Sequence, residues 1–303
     1  MKPTTLLATL ALTVATAFTP ALAEDLTIKH AQGETTVSTN PETVLVFDLA
    51  SLDTLDALGV EVDGVPSGGK PGHLEKYEGD EYAKIGTLFE PDYEAVNAAE
   101  PDLIIVGGRS AAKYADLAKI APTIDLTVNQ EDYLGSMRAN VESLAKIFGK
   151  EAEAEEKLAK LEESIANLKE KSANAGRVLV VLTTGGRMSA HGKGGRFNII
   201  YDAFGMTPAA DDLKIGTHGQ AISHEFIMET NPDWLFVVDR DAAIGQEGQA
   251  AQQVLDNDLV GQTTAWKNNQ VVYLDAANWY LVGAGLTAVQ ANVDQLTEAF
   301  SKQ

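Results

Sequence analysis

The chain has 303 residues, 45% of them apolar, with no cysteine and a net charge of −21 at pH 7. That length supports two domains with cores of their own. The composition excludes disulfides and thiol catalysis, and so acidic a chain is a poor partner for nucleic acid or anionic membrane surfaces.

In chain order, Lys2 is followed by the apolar run 6–18 and then by Ala21-Leu22-Ala23. This reads as a secretory signal peptide, residues 1–23, with the mature chain starting at Glu24. The apolar run is too short to span a membrane, and no later segment is long enough. With no cysteine at the cleavage site, no lipid anchor is expected. The mature protein should be free and soluble in a periplasm. Residues 26–29 and 35–37 flank Gln32-Gly33 as a short hairpin.

A first lobe is expected over 24–133. It starts with an apolar strand at 44–47 and a helix over 49–58 closed by Gly59. An irregular glycine-rich loop, 66–80, carries Lys70 and His73 and is placed where it could border a ligand. A helix over 92–100, a strand at 103–106, a helix over 111–120 and a strand near 123–126 complete the lobe. A charged helical stretch over 134–172, with a break at Gly149, is expected to connect the lobes. Leu158, Leu161, Ile165 and Leu168 give it one apolar stripe, too short to sustain a coiled coil.

The second lobe, 173–303, repeats the alternation. It has a strand at 178–182, a helix over 197–204 closed by Gly205, a helix over 222–230, a strand at 234–238, a helix over 250–255, a strand at 271–274 and a helix over 284–300. Alternating strands and helices predict α/β lobes with mainly parallel sheets. The continuous apolar strands agree, since parallel strands are buried on both faces.

One pattern occurs in both lobes. Glu94, Pro101, Asp102, an apolar strand and Arg109 correspond to Glu225, Pro232, Asp233, an apolar strand and Arg240. Each copy reads as a helix, a Pro-Asp turn, a buried strand and an arginine where the strand ends. Ligands of open α/β sheets collect beyond the carboxyl ends of the strands. Two lobes that each aim an arginine from that edge describe a cleft for an anion. The chain has only six arginines, Arg109, Arg138, Arg177, Arg187, Arg196 and Arg240, so their placement is informative. Arg196 follows a glycine-rich loop, Gly192 to Gly195. Guanidinium offers a planar fork of donors to oxyanions, whereas an isolated arginine more often makes a surface ion pair.

His218, in Gly216-Thr217-His218-Gly219, reads either as a cleft-facing group or as a loop histidine bonded to backbone. Trp279-Tyr280 reads either as a pocket lining or as a cap on the core. Glu94 and Glu225 sit early on their helices, where the dipole favours a carboxylate. Their matched placement also suits them as two acidic knobs for a basic partner. The five histidines form no metal clip. The phosphate-loop spacing fails around Gly192-Lys193, and no nucleophile elbow or dinucleotide fingerprint is present.

These stretches together resemble the periplasmic ferric-siderophore-binding proteins of ABC importers, in which two α/β lobes are joined by one long helix (class III). The resemblance covers the mature chain. It rests on Val46-Phe47-Asp48-Leu49, the stretches 52–58 and 101–109, Ser189-Ala190, Arg196-Phe197, 216–219, 236–240, Tyr273-Leu274-Asp275 and Trp279-Tyr280-Leu281, and it points to the catecholate branch of the enterobactin and petrobactin type. It implies that Arg109, Arg196 and Arg240 surround a ferric catecholate. It implies that His218 and Tyr280 complete the iron sphere when the siderophore is only tetradentate, and that Glu94 and Glu225 dock onto a membrane permease. The stretch 134–172 would be the connecting helix, with limited lobe closure. No cofactor is implied, since the iron(III)–siderophore complex is the cargo, and a monomer without enzymatic activity is expected.

The physics of the cargo agrees. A ferric tris-catecholate is an anion that an acidic protein repels, and a local arginine cluster in a cleft reverses the sign. Ferric iron suits phenolate oxygen, with iron displacing the proton of Tyr280. The alternatives keep the fold and change the cargo to haem, ferric citrate, a hydroxamate or cobalamin. A secreted enzyme with His218 as general base lacks a nucleophile and a carboxylate partner. A sensor subunit is a third reading. Arg187 has no assigned role.

Overall fold

The computed structural model describes residues 25–216 and 218–302. The expected signal peptide and Thr217 lie outside them. A hairpin of β1 (Asp25–His30) and β2 (Gly33–Ser38) comes first. The first lobe is a parallel sheet of β3 (Val44–Val46), β4 (Gly64–Val65), β5 (Ala83–Lys84), β6 (Leu103–Val106) and β7 (Thr123–Asp125), in the order β5-β4-β3-β6-β7. The second lobe holds β8 (Arg177–Thr184), β9 (Arg187–His191), β11 (Gln220–Ile222), β12 (Trp234–Asp239) and β13 (Val271–Tyr273), in the order β11-β9-β8-β12-β13, with β10 (Thr207–Pro208) beside β8. Its core pairs are parallel, but β9 and β11 run antiparallel. Gly185 and Gly186, at φ 54° and 71°, form a two-residue hairpin turn that only such backbones favour.

The repeat has a structural meaning that its sequence did not announce. In the first lobe the Asp102 carboxylate accepts from the backbone N–H groups of Glu42 and Thr43, at the entry to β3. In the second lobe Asp233 accepts from Arg177 N, at the entry to β8. Each Pro-Asp turn therefore ties its strand to the neighbouring strand at the amino edge, leaving the carboxyl edge for arginine.

The longer helices among the described residues are α1 (Leu49–Ala57), α2 (Tyr93–Ala98), α3 (Tyr133–Phe148), α4 (Glu151–Ser172), α5 (His224–Thr230) and α6 (Leu286–Ser301). The break at Gly149 is real: it takes φ 63° and closes α3. The 22-residue α4, about 33 Å long at 1.5 Å per residue, buries the predicted stripe of Leu158, Leu161, Ile165 and Leu168. Two expected helices are shorter than the sequence suggested. Residues 197–204 form a 3₁₀ turn, Asn198–Ile200, and then irregular turns. The backbone bonds there mix spacings of three to five residues, and the Asn198 side chain accepts from Gly194 N and donates to Gln130 O. Residues 111–120 divide into a 3₁₀ turn, Ala111–Lys113, and a single α turn, Tyr114–Leu117.

The lobes are joined by more than α4. One apolar core runs from Val44 and Leu52 of the first lobe to Val293 and Phe300 of the second. At its centre, α6 starts at Gly285 without a capping side chain of its own. The first lobe supplies the cap. Asp53 of α1, fully buried, accepts from Thr287 N at 2.7 Å, and Thr54 Oγ1 accepts from Leu286 N at 3.3 Å. A carboxylate there also faces the positive end of a 16-residue helix. A Cβ on Gly285 would stand 2.3 Å from Asp53, so only glycine admits the contact.

No residue of the loop 66–80 lines the cavity described below. His73 Nε2 lies 2.5 Å from Asp53 Oδ1, and that hydrogen bond raises the histidine pKa. Lys70 Nζ donates back into its own loop, to the carbonyls of Pro66 and Gly68. Replacement of Asp53 by alanine strips α6 of its cap and leaves His73 unpaired. We expect a loss of about 3 kcal/mol in urea-unfolding stability. A change below about 0.5 kcal/mol would show that the interlobe cap contributes nothing.

Candidate functional site

A cavity of about 520 Å³ opens between the lobes, at the carboxyl ends of β6 and β7 on one side and against the Arg196 loop and the segment 279–284 on the other. Arg109, Arg196 and Tyr280 line it. Arg109 is delivered by Gly107-Gly108 directly after β6. Gly108 takes φ 49°, and its N–H donates to Thr127 Oγ1, which fixes the turn. Arg240 stands at the end of β12, where Asp239 caps the following turn through Ala242 N. Arg196 is held by the glycine loop, in which Gly194 (φ 74°) donates to Asn198 Oδ1 and Gly195 donates to Gly192 O.

The three arginines converge on one residue. Their guanidinium carbons lie 5.5, 4.2 and 5.7 Å from the Tyr280 ring centroid, for Arg109, Arg196 and Arg240 respectively. Such distances are within cation–π range. Arg240 Nε donates to the Tyr280 hydroxyl at 2.9 Å. Arg109 and Arg196 both donate to the Tyr280 carbonyl, at 2.7 and 2.9 Å, and Arg109 also to the Leu281 carbonyl at 3.0 Å. Those carbonyls are free because Ala277–Val282 is a π-helical turn, in which Gly283 N reaches back to Asn278 O at 2.8 Å. Departures of this kind recur at functional sites. The aromatic pair has divided its roles: Trp279 is buried against Phe197 and Phe204, and Tyr280 faces the arginines.

The cluster is electrostatically under-compensated. Among the described residues, only Arg240 of the three has a carboxylate partner, Asp241 at 3.6 Å. Burial, and then the charge of Arg109, lower the Arg196 pKa. Asp48, at the cavity wall near Arg109, is pushed up by burial, against the pull of its bonds to Ser51 and of Arg109. The arrangement is a concave site that favours a multiply charged anion over any cation.

His191, 1% exposed, backs the arginine loop with its ring 4.9 Å from Phe197. Burial lowers its pKa to about 4, with further lowering from the charges of Arg196 and His218. It thus stays neutral at ordinary pH. His218 is exposed, and it sits beside Gly216 of the cavity wall without lining the cavity itself. Glu94 and Glu225 are exposed in the first turns of α2 and α5, with no contact to the cavity. Arg187 is exposed at the start of β9. Asp48, Tyr133 and Asn292 also line the cavity, and nothing in their spacing marked them. Among the described residues no group of three or more histidines or carboxylates could hold a metal ion.

A family model described as periplasmic binding protein matches residues 44–277. The chain belongs to the periplasmic binding protein family. It is 42% identical to the petrobactin-binding protein YclQ of Bacillus subtilis, over 92% of this chain and 89% of that protein. It is 31% identical to the ferric-anguibactin-binding protein FatB of Vibrio anguillarum, over 91% and 87%. The crystal structure of YclQ superposes with a TM-score of 0.89 at 41% identity, covering 92% of this chain and all of the other. The periplasmic catecholate-siderophore-binding protein VctP of Vibrio cholerae gives 0.86 at 34%, again over 92% and all of the other chain. The two-lobed architecture joined by a long helix is that of these proteins, and no described helix is long and apolar enough to cross a membrane.

The depressed His191 pKa has a pH signature. Above pH ~6.5 both folded and unfolded chains keep it neutral. As pH falls toward 4 the unfolded chain takes a proton that the native site refuses, so stability is lost. Relative to His191→Gln, the wild type should lose about 2 kcal/mol between pH 7.5 and 4.5 in chemical denaturation. Parallel losses in the two proteins would contradict the assignment.

Proposed function

We propose that the protein captures a ferric catecholate siderophore in the periplasm and delivers it to an ABC-type inner-membrane permease, with no chemistry on the ligand. The observation that carries this reading is the convergence of Arg109, Arg196 and Arg240 on Tyr280. Three guanidinium groups, two of them without a carboxylate, suit the negative charge of a ferric catecholate and have no match in a neutral hydroxamate. The names of YclQ and VctP, which bind petrobactin and catecholate siderophores, support it.

In this reading the signal peptide, 1–23, directs export and the protein acts as a monomer. With a tetradentate siderophore two iron positions remain open, and the Tyr280 oxygen and the His218 imidazole fill them. The Tyr280 hydroxyl lies within the cluster, and His218 follows Gly216 of the cavity wall by two residues. Glu94 and Glu225, exposed in equivalent first turns, are the docking points for basic residues of the permease.

Tryptophan fluorescence titrations test this. Wild type, Arg196→Gln and Tyr280→Phe are compared with a ferric tris-catecholate, a ferric bis-catecholate, ferric citrate and a neutral ferric hydroxamate. The expected result is tight binding of both catecholates, weakened by about 10–100-fold in Arg196→Gln. Only the bis-catecholate should suffer further in Tyr280→Phe. Binding of the hydroxamate as tightly as the catecholates, indifferent to Arg196, contradicts the proposal.

A further inference from the structure

The cavity is also lined by polar groups that the arginine clasp leaves unused, on α6 and around the start of α3. Asn292 of α6 lines it, is only 4% exposed, and has a buried Oδ1 with no hydrogen-bond partner. Its neighbours on that helix face, Val289, Val293 and Leu296, are apolar and buried. A leucine at this position would suit the core better, because a buried amide destabilises the fold unless something satisfies it.

Two further polar side chains meet at the same cavity from the first lobe. Gln130 also has a buried Oε1 without a partner. Tyr133 lines the cavity as well, with its hydroxyl near Gly283 of the opposite wall. Three polar groups on different elements, two of them with orphaned acceptors, are hard to explain by packing. Each orphaned oxygen is itself sealed, and a ligand toward which the two amides turn on binding explains them simply. Amide oxygens accept, and amide nitrogen and phenol donate. The set therefore suits an uncharged group that can do both, and it is chemically unlike the arginine end of the same cavity.

We propose that Asn292, Gln130 and Tyr133 form an inner subsite that hydrogen-bonds an amide or hydroxyl group on the backbone of the chelator, and so selects among catecholates whose iron-bearing heads are alike. This rests on the catecholate reading above and adds a second determinant to it. The arginines read charge, which all ferric catecholates share. The inner subsite reads the part in which they differ.

The test uses the full mature protein and two ferric complexes, one of free catechol and one of a bis(catecholamide) joined by an amide-bearing chain. Wild type, Asn292→Leu and Tyr133→Phe are titrated with each, and melting temperatures are recorded. Asn292→Leu should weaken the backbone-bearing complex about three- to tenfold and leave ferric catechol within about twofold. Its melting temperature should hold or rise, because an apolar group replaces an unsatisfied one. If Asn292→Leu does not fold, Tyr133→Phe carries the same expectation. Unchanged affinity for both complexes means that the chamber holds only solvent, and it overturns the inference. An equal weakening of both does the same, and so does a fall in melting temperature without discrimination. Failure of wild type to bind either complex overturns the catecholate reading itself, which is a distinct outcome.

Discussion

Two guanidinium groups from opposite lobes share one carbonyl oxygen, that of Tyr280. The rest of the site follows from this contact. Arg109 and Arg196 would repel one another in a dry cleft. The carbonyl, with the face of the Tyr280 ring, holds both without neutralising either. A carboxylate in its place would quench the positive charge and leave nothing to attract an anion. The π-helical turn makes the arrangement possible, because it releases the Tyr280 and Leu281 carbonyls toward the cleft. Arg240 completes the cluster through the phenol oxygen. A chain of net charge −21 thereby gathers three guanidinium groups around one side chain.

Such a cluster is useful only if the lobes stay in register. The shared core and the cap that Asp53 gives to α6 join the lobes directly beneath the cavity. The same two helices, α1 and α6, contribute Ala50 and Asn292 to its wall. A helix start capped from the other lobe resists separation, because opening the lobes would expose backbone donors and a buried carboxylate together. The cleft is therefore largely preformed, and binding costs little reorganisation.

Much of this was legible in the residues. The duplicated Glu, Pro-Asp, strand and Arg pattern gave two lobes, the direction of their strands and two of the three clasp arginines. Gly149 marked the end of α3, and the spacing of Leu158, Leu161, Ile165 and Leu168 marked the buried face of α4. What was hidden depends on contacts between segments far apart in sequence. Nothing local shows that Asp53 caps a helix more than two hundred residues later, or that His73 turns inward to it. Trp279-Tyr280 left two readings open, and both hold: the two residues line the cavity, and Trp279 also packs against Phe197 and Phe204. The expected helix over 197–204 is an irregular turn whose backbone bonds reach back three to five residues, and Asn198 within it holds the Arg196 loop and Gln130. Asn292 looks like an ordinary polar residue of an amphipathic helix until its burial is known.

The central claim is that the clasp recognises negative charge. The direct measurement is the affinity of one tris-catecholate chelator loaded with a trivalent or a tetravalent metal, which keeps the shape and removes one charge from the complex. Iron(III) and gallium(III) complexes should bind alike, and the germanium(IV) complex should bind about tenfold more weakly. That gap should shrink in Arg109→Gln. Equal affinity for the trivalent and tetravalent complexes would contradict the account and reduce the three arginines to scaffolding for the π turn.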